Sequence, residues 1–217
     1  MKQNAEINIL MVDDHPVIFR GYQDVIEHYL TESFCVDTAE DCDTAWDKIT
    51  ATKYDLLFLD ISFPYEENKR FVSGEDFGAR VKEEYPDIKI IVLTQIEDAF
   101  HLKNIMANIS PKGFLLKREA KPELLADCVR SVIDSISFFS PRIKRIIQAG
   151  TNMGFVITKT DRLILHQLSL GTKTKDLDKY IPFSFRTIEN RKRKLKEYFG
   201  ADDDRTLLAK AREEGYI

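Results

Sequence analysis

Five short apolar runs, at residues 7–12, 34–38, 54–60, 88–94 and 113–116, recur through the front of this chain, and an amphipathic stretch follows each. Strands that alternate with helices pair in parallel through crossovers. The pattern therefore predicts an α/β fold, a five-stranded, doubly wound, flavodoxin-like parallel sheet with helices on both faces. The first helix is the clearest. Pro16 suits a first helical position, and Ile18, Tyr22, Val25, Ile26, Tyr29 and Leu30 repeat at helical spacing, with Phe19 and Tyr22 read as core rather than as a dimer surface. A last helix beginning near Lys121 carries Pro122 at its start and Leu124, Leu125, Cys128, Val129, Val132 and Ile133 along one stripe. It is expected to close the domain.

In such sheets ligands collect at the carboxyl ends of the strands. Those ends carry Asp13 and Asp14 after NILMV, Asp60 at the close of YDLLFLD, Thr94 at the close of IKIIVLT and Lys117 after GFLL. Crowded carboxylates raise one another's pKa unless a cation neutralises them, so the cluster implies a bound divalent metal, and oxygen donors suit octahedral Mg²⁺. A hydroxyl and an ammonium beside it suit the equatorial oxygens of a phosphoryl group, which makes Asp60 the candidate acceptor. Any one of these residues alone reads as a solvated strand end; four features in this order do not.

The order Asp-Asp, Asp, Thr, Lys at four strand ends resembles the receiver domain of two-component response regulators, over residues 5–135. The resemblance implies that Asp60 takes a phosphoryl group from a sensor histidine kinase. It implies that Asp14 and Asp60 hold Mg²⁺ directly, with the backbone carbonyl of Ser62, while Asp13 acts through water. Thr94 and Lys117 would contact the phosphoryl oxygens, and Phe114 matches the family's aromatic switch position. Pro64, four residues after Asp60, also matches. Three features depart from the family pattern: Arg118 follows Lys117 where a cis-forming proline is common, Gln95 and Ile96 follow Thr94 where a small residue is usual, and the polar segment PYEENKRFVSGEDFG is longer than most receivers carry.

At 217 residues the chain has room for two modest domains or one large one, and 43% hydrophobic residues suffice for a core. No apolar run approaches the roughly 20 residues that a membrane-spanning helix needs, and MKQNAEINIL lacks the features of a signal peptide. A cytoplasmic location and no membrane partner are expected. Cys35, Cys42 and Cys128 lack metal-ligand spacing and read as reduced thiols in packing roles. The net charge of −4 conceals a division: from Phe155 onward 14 Lys and Arg stand against 10 Asp and Glu, a balance of +4 that leaves −8 for the remainder. Only the basic back half is expected to meet a polyanion.

Residues 136–154 mix an apolar patch, Pro141, a basic amphipathic turn and glycine, and are expected to connect the domains. Four short helices fit residues 155–217. Thr158 and Asp161 make an approximate capping box before Leu163, Ile164, Leu165 and Leu168, and Gly171 suits the helix end. A helix over 173–180 and a break at Ile181, Pro182 and Phe183 precede Ser184, the expected N-cap of a helix that runs to Phe199 and stops at Gly200. Asp204 is expected to cap the last helix. A tight connection into a basic second helix is the helix-turn-helix arrangement, whose second member enters the major groove. That helix carries Arg186, Arg191, Lys192, Arg193, Lys194 and Lys196, with Ile188, Leu195 and Phe199 as its buried stripe.

Residues 155–217 resemble the LuxR-type (NarL-type) DNA-binding domain. The resemblance implies that Glu189, Asn190 and Arg193 stand at base-reading positions, that the other cations contact phosphates, and that the closing helix mediates dimer contacts. The whole then reads as a response regulator and transcription factor. It would dimerise on double-stranded promoter DNA when phosphorylated, and would not be an enzyme beyond slow autodephosphorylation. A phosphohydrolase of the haloacid dehalogenase type needs a second acid two positions after its nucleophile, where Ser62 stands. The alternative left open is a phosphorylation-independent DNA-binding regulator whose receiver-like domain serves only for dimerisation.

Overall fold

The apolar runs become strands within two residues of their expected limits: β1 (Ile7–Val12), β2 (Phe34–Ala39), β3 (Leu56–Asp60), β4 (Lys89–Thr94) and β5 (Gly113–Leu116). All pair in parallel, and the sheet order is β2-β1-β3-β4-β5-β6, where β6 (Phe138–Phe139) is a sixth strand beyond the five expected. The computed structural model describes residues 6–63, 70–71, 73–149, 157–181 and 183–217, which divide into one unit up to residue 149 and a second from residue 157. Pro64, Pro182 and the first part of the polar segment after Asp60 lie outside the described residues.

Five helices wind the sheet: α1 (Pro16–Tyr29), α2 (Cys42–Ala51), α3 (Gly74–Glu84), α4 (Ala99–Ile109) and α5 (Pro122–Ile133). Strand side chains alternate between its faces. Leu10, Val12, Leu57, Leu59, Ile90, Val92 and Phe114 pack toward α2, α3 and α4, while Ile9, Met11, Leu56, Phe58, Ile91, Leu93 and Leu115 pack toward α1 and α5. Burial of each such side chain contributes about 1.5–3 kcal/mol, so the double-sided core dominates the unit's stability. The helices start where side chains can cap them: Asp41, Ser73 and Asp98 accept from Thr44 N, Asp76 N and His101 N, and Pro16 opens α1. Cys42 and Cys128 are buried, and burial pushes the Cys128 thiol up to about 12. Cys35 is exposed, so the packing role expected of it does not hold.

The segment read as a connection is in part ordered on the first unit. Phe138 N donates to Lys112 O at 2.8 Å and Ser140 N to Phe114 O at 2.9 Å, which adds β6 to the edge of β5. Helix α6 (Pro141–Ala149) then buries Ile143, with Ile146 and Ile147 half-covered, against α4 and β5. Its apolar residues at i, i+3 and i+4 explain the docking. A two-residue strand has no periodicity to read.

The second unit contains α7 (Lys159–Ser169), α8 (Phe185–Phe199) and α9 (Asp204–Glu213). The segment expected as a helix over 173–180 is a 3-10 helix at Thr174–Lys179. Thr158 and Asp161 form the capping box, Ser184 caps α8, and Gly200 ends it in the left-handed conformation at φ 56°. Lys210 Nζ satisfies the last carbonyls of that helix, at 2.7 Å from Phe199 O and 3.0 Å from Gly200 O. The cap of α9 is Asp203 rather than Asp204, because Asp203 accepts from Thr206 N while Asp204 faces the lysines of α8. Ile157, Ile164, Leu165, Leu177, Ile181, Ile188, Leu195, Phe199, Leu207 and Tyr216 form a core of its own.

Candidate functional site

The parallel register brings four residues to the carboxyl ends of the strands. Asp13 follows β1, Asp60 ends β3, Thr94 ends β4 and Lys117 follows β5. Asp13 and Asp60 are each 3% exposed, and the Lys117 ammonium lies 2.6 Å from Asp13 Oδ2 and 2.8 Å from Asp60 Oδ2. Ser62 N donates to Asp60 Oδ1 at 3.1 Å. Burial pushes the Asp60 carboxyl above its usual range, and the neighbouring Asp13 charge adds to this, against the opposing pull of Lys117 and Ser62 N. Burial alone would lower the Lys117 ammonium, but its bonds to Asp13 and Asp60 outweigh burial and hold it above its usual value. Thr94 is fully buried, and its hydroxyl oxygen accepts from Ile96 N at 3.0 Å.

The backbone packs closely behind the acceptor. A Cβ on Gly74, the first residue of α3, would stand 2.6 Å from Asp60 O and 2.9 Å from Ile61 O. Only glycine lets the helix approach the turn after Asp60 this closely. His15, beside the acidic pair, adds a ring nitrogen: its Nδ1 is 2.7 Å from Asp14 Oδ1 and 3.4 Å from Asp13 Oδ1. Donor atoms of Asp13, Asp14 and His15 all lie within 4.8 Å of one another, and the Lys117 ammonium links Asp13 to Asp60. His15 stands in the DDHP stretch in plain sight, and its adjacency to the acidic pair was the available signal. Tyr22 also borders the pocket. Stacked on Phe58, its hydroxyl is pushed up to about 12, first by burial and then by the charges of Asp13 and Asp60, with Lys117 opposing them.

Two arrangements beside the pocket escaped the sequence. Glu75 is 1% exposed, accepts from Asn108 Nδ2 at 2.8 Å and lies 3.3 Å from His101 Nε2, which fastens α3 to α4. Glu97, three residues after Thr94, pairs with Arg118 at 2.8 Å and with Arg142 of α6 at 3.2 Å. The neighbours of Thr94 and Lys117 are thereby tied to α6. Phe114, at the expected switch position, is fully buried, and its ring meets Phe139 of β6 edge-on at 6.5 Å.

In the second unit the cations of α8 divide by direction. At about 100° per residue, Arg191, Lys192 and Lys196 flank the buried stripe of Ile188, Leu195 and Phe199. Arg191 Nη1 bonds the fully buried Asp161 at 2.8 Å and Thr158 at 3.0 Å. Lys192 Nζ bonds Thr174 at 2.6 Å and also pairs with Asp204, which lies 2.8 Å from Lys196. These three, expected at phosphates, are engaged within their own domain. Arg186, Glu189, Asn190, Arg193 and Lys194 are exposed on the opposite face.

Comparison with known proteins agrees with this architecture. Residues 9–128 match the family described as response regulator receiver domain. Oxygen regulatory protein NreC of Staphylococcus carnosus is 28% identical over 198 residues, covering 86% of this chain and 88% of that protein, and the Staphylococcus haemolyticus protein of the same name is 27% identical over the same shares. Among solved structures, RcsB from Salmonella enterica serovar Typhimurium bound to promoter rprA in the presence of phosphomimetic BeF₃⁻ aligns with a TM-score of 0.64 at 20% identity, covering 95% of this chain and 98% of that one. The two-component response regulator RcsB–DNA complex aligns with a TM-score of 0.61 at 21% identity over the same shares. At such identities the likeness to RcsB is one of fold.

Proposed function

This chain belongs to the response regulator receiver family, and from that premise we propose that Asp60 accepts a phosphoryl group and that α8 carries the response to duplex DNA. The observation that supports it most is the ammonium shared by two buried carboxylates, with Lys117 at 2.6 Å from Asp13 and 2.8 Å from Asp60. A lysine already bonded to the nucleophile stands beside any group transferred onto it. An Asp60 oxygen attacks phosphorus as the bond from phosphorus to the imidazole nitrogen of a kinase phosphohistidine breaks, and the leaving imidazole takes up a proton. The new phosphoryl oxygens draw Lys117 from Asp60, and the Thr94 hydroxyl donates to one of them. The carboxylates of Asp13, Asp14 and Asp60 and the backbone of Ser62 are hard oxygen donors that fit Mg²⁺, which when bound would neutralise phosphoryl charge. With Asp60 only 3% exposed, water reaches the acyl phosphate poorly, so the protein accepts phosphoryl groups and hydrolyses them slowly rather than acting as an enzyme.

The output reading rests on the exposed face of α8. Asn190 has the amide that pairs with adenine, Arg193 the guanidinium that pairs with guanine, and Glu189 an acceptor for cytosine N4, while Arg186 and Lys194 suit phosphates. RcsB has been solved on promoter DNA, which supports the same use of this fold. No helix among the described residues is long and apolar enough to cross a membrane, in keeping with a cytoplasmic regulator. One helix-turn-helix offers few base contacts, so a homodimer on inverted half-sites follows from the symmetry of the task. Phosphorylation promotes that dimer and raises the effective concentration of the second α8.

The test uses the full chain with Mg²⁺ and beryllofluoride on DNA selected by the protein. Affinity for a two-half-site duplex should rise much more than for a single half-site, in step with dimer formation in sedimentation. Equal rises with the protein monomeric throughout would replace the dimer by release of an interdomain contact. Selection of a duplex with no response to beryllofluoride would favour the phosphorylation-independent alternative.

A further inference from the structure

Exposed large apolar side chains are scattered singly over the first unit, at Val17 and Ile136, but three aromatic ones gather within residues 180–185. Tyr180 is 61% exposed, Phe183 42% and Phe185 41%. The second unit does not need them for its core, since Ile181 and Ile188 on either side are already buried there. Phe185 is the first residue of α8, directly after its cap Ser184, and the next residue, Arg186, is exposed as well. At about 100° per residue it lies one turn before Glu189 on the same edge of the helix.

An exposed ring at that place costs solubility and adds nothing to the unit's core. The exposed cations of the same helix, Arg186, Arg193 and Lys194, complement a polyanion, and the leading residues of the second helix are those that come nearest the base edges. A phenyl ring has no donor or acceptor for phosphate or for the polar edges of bases. The one apolar feature that the major groove offers is the C5-methyl group of thymine. We propose that Phe185 is a specificity-determining residue that reads a thymine methyl in each half-site. The inference rests on the DNA-binding reading above and names one base that this reading leaves open.

The experiment uses the full chain with Mg²⁺ and beryllofluoride and the duplex it selects, with each thymine replaced in turn by deoxyuridine, which lacks only the methyl. Wild type should lose affinity at one position per half-site by about fourfold, the weight of one buried methyl-sized group. Phe185→Ala should bind the thymine and deoxyuridine duplexes equally, whereas Phe185→Leu, which keeps an apolar contact, should retain part of the discrimination. Both substitutions are at an exposed position, and unchanged melting temperatures would confirm intact folds. Insensitivity of wild type at every thymine overturns the inference and leaves DNA binding standing, as does full methyl discrimination by Phe185→Ala. Failure of the chain to select any duplex overturns both.

Discussion

The carboxylate pocket and α8 both concentrate charge, and they hold it in opposite ways. In the pocket, Asp13 and Asp60 are withdrawn from water and share one ammonium. Leaving either carboxylate unpaired there would be costly, so strand ends and a single lysine fix the geometry. On α8 the charges that face outward are placed by helix rotation and meet no acid among the described residues, while Arg191, Lys192 and Lys196 are held by acids of the same domain. Position in the pocket is set by topology, and on the helix by which side of the buried stripe a residue falls.

The sharpest way to break the comparison is to remove an inward cation. Arg191→Ala leaves Asp161 buried without its guanidinium, and should destabilise the protein by about 3 kcal/mol in urea unfolding, the low end for a broken buried pair because Arg191 is partly exposed. If stability did not change, Arg191 would belong with the outward cations. Gly74→Ala tests the pocket side. Its methyl would meet the backbone oxygens of Asp60 and Ile61, which cannot swing aside, so a loss of about 2 kcal/mol is expected together with slower phosphorylation. Arg193→Ala should behave differently again. It should leave unfolding unchanged, cost about 1.5 kcal/mol on the selected duplex and relax preference at one base.

Asp13, Asp14, Asp60, Thr94 and Lys117 were legible because the end of a parallel strand is where the next side chain must enter the crevice, and the apolar runs mark those ends. The direction of the α8 cations was less so. Asp161 and Asp204 were read as caps, which hid that each also answers a cation on α8; Asp204 does not cap at all. Glu75 and His101 stand far apart in sequence on separate helices, and neither has a motif that marks the pairing. β6 was invisible for want of length, although the isoleucines of α6 announced a buried face.

The smallest expected effect concerns pH. The folded pKa of Asp60 lies above its unfolded value because burial disfavours the carboxylate. Between the two values the native state binds more protons than the unfolded one, so this group makes stability fall as pH rises through that acidic window, and the penalty persists at neutral pH. Asp60→Asn, which carries no charge, should therefore melt slightly higher than wild type at pH 7, with the difference shrinking as the solution is acidified below the usual carboxylate range. A gap that widened toward acid would mean that the Lys117 pair outweighs burial at this residue.

The central claim is that Asp60 is the phosphoacceptor, and mass spectrometry of the intact chain after treatment with a small phosphodonor and Mg²⁺ tests it most directly. Wild type should gain one phosphoryl group that survives acid and is lost in mild alkali, and Asp60→Asn or chelation of the metal should abolish the gain. Undiminished phosphorylation of Asp60→Asn would contradict the account.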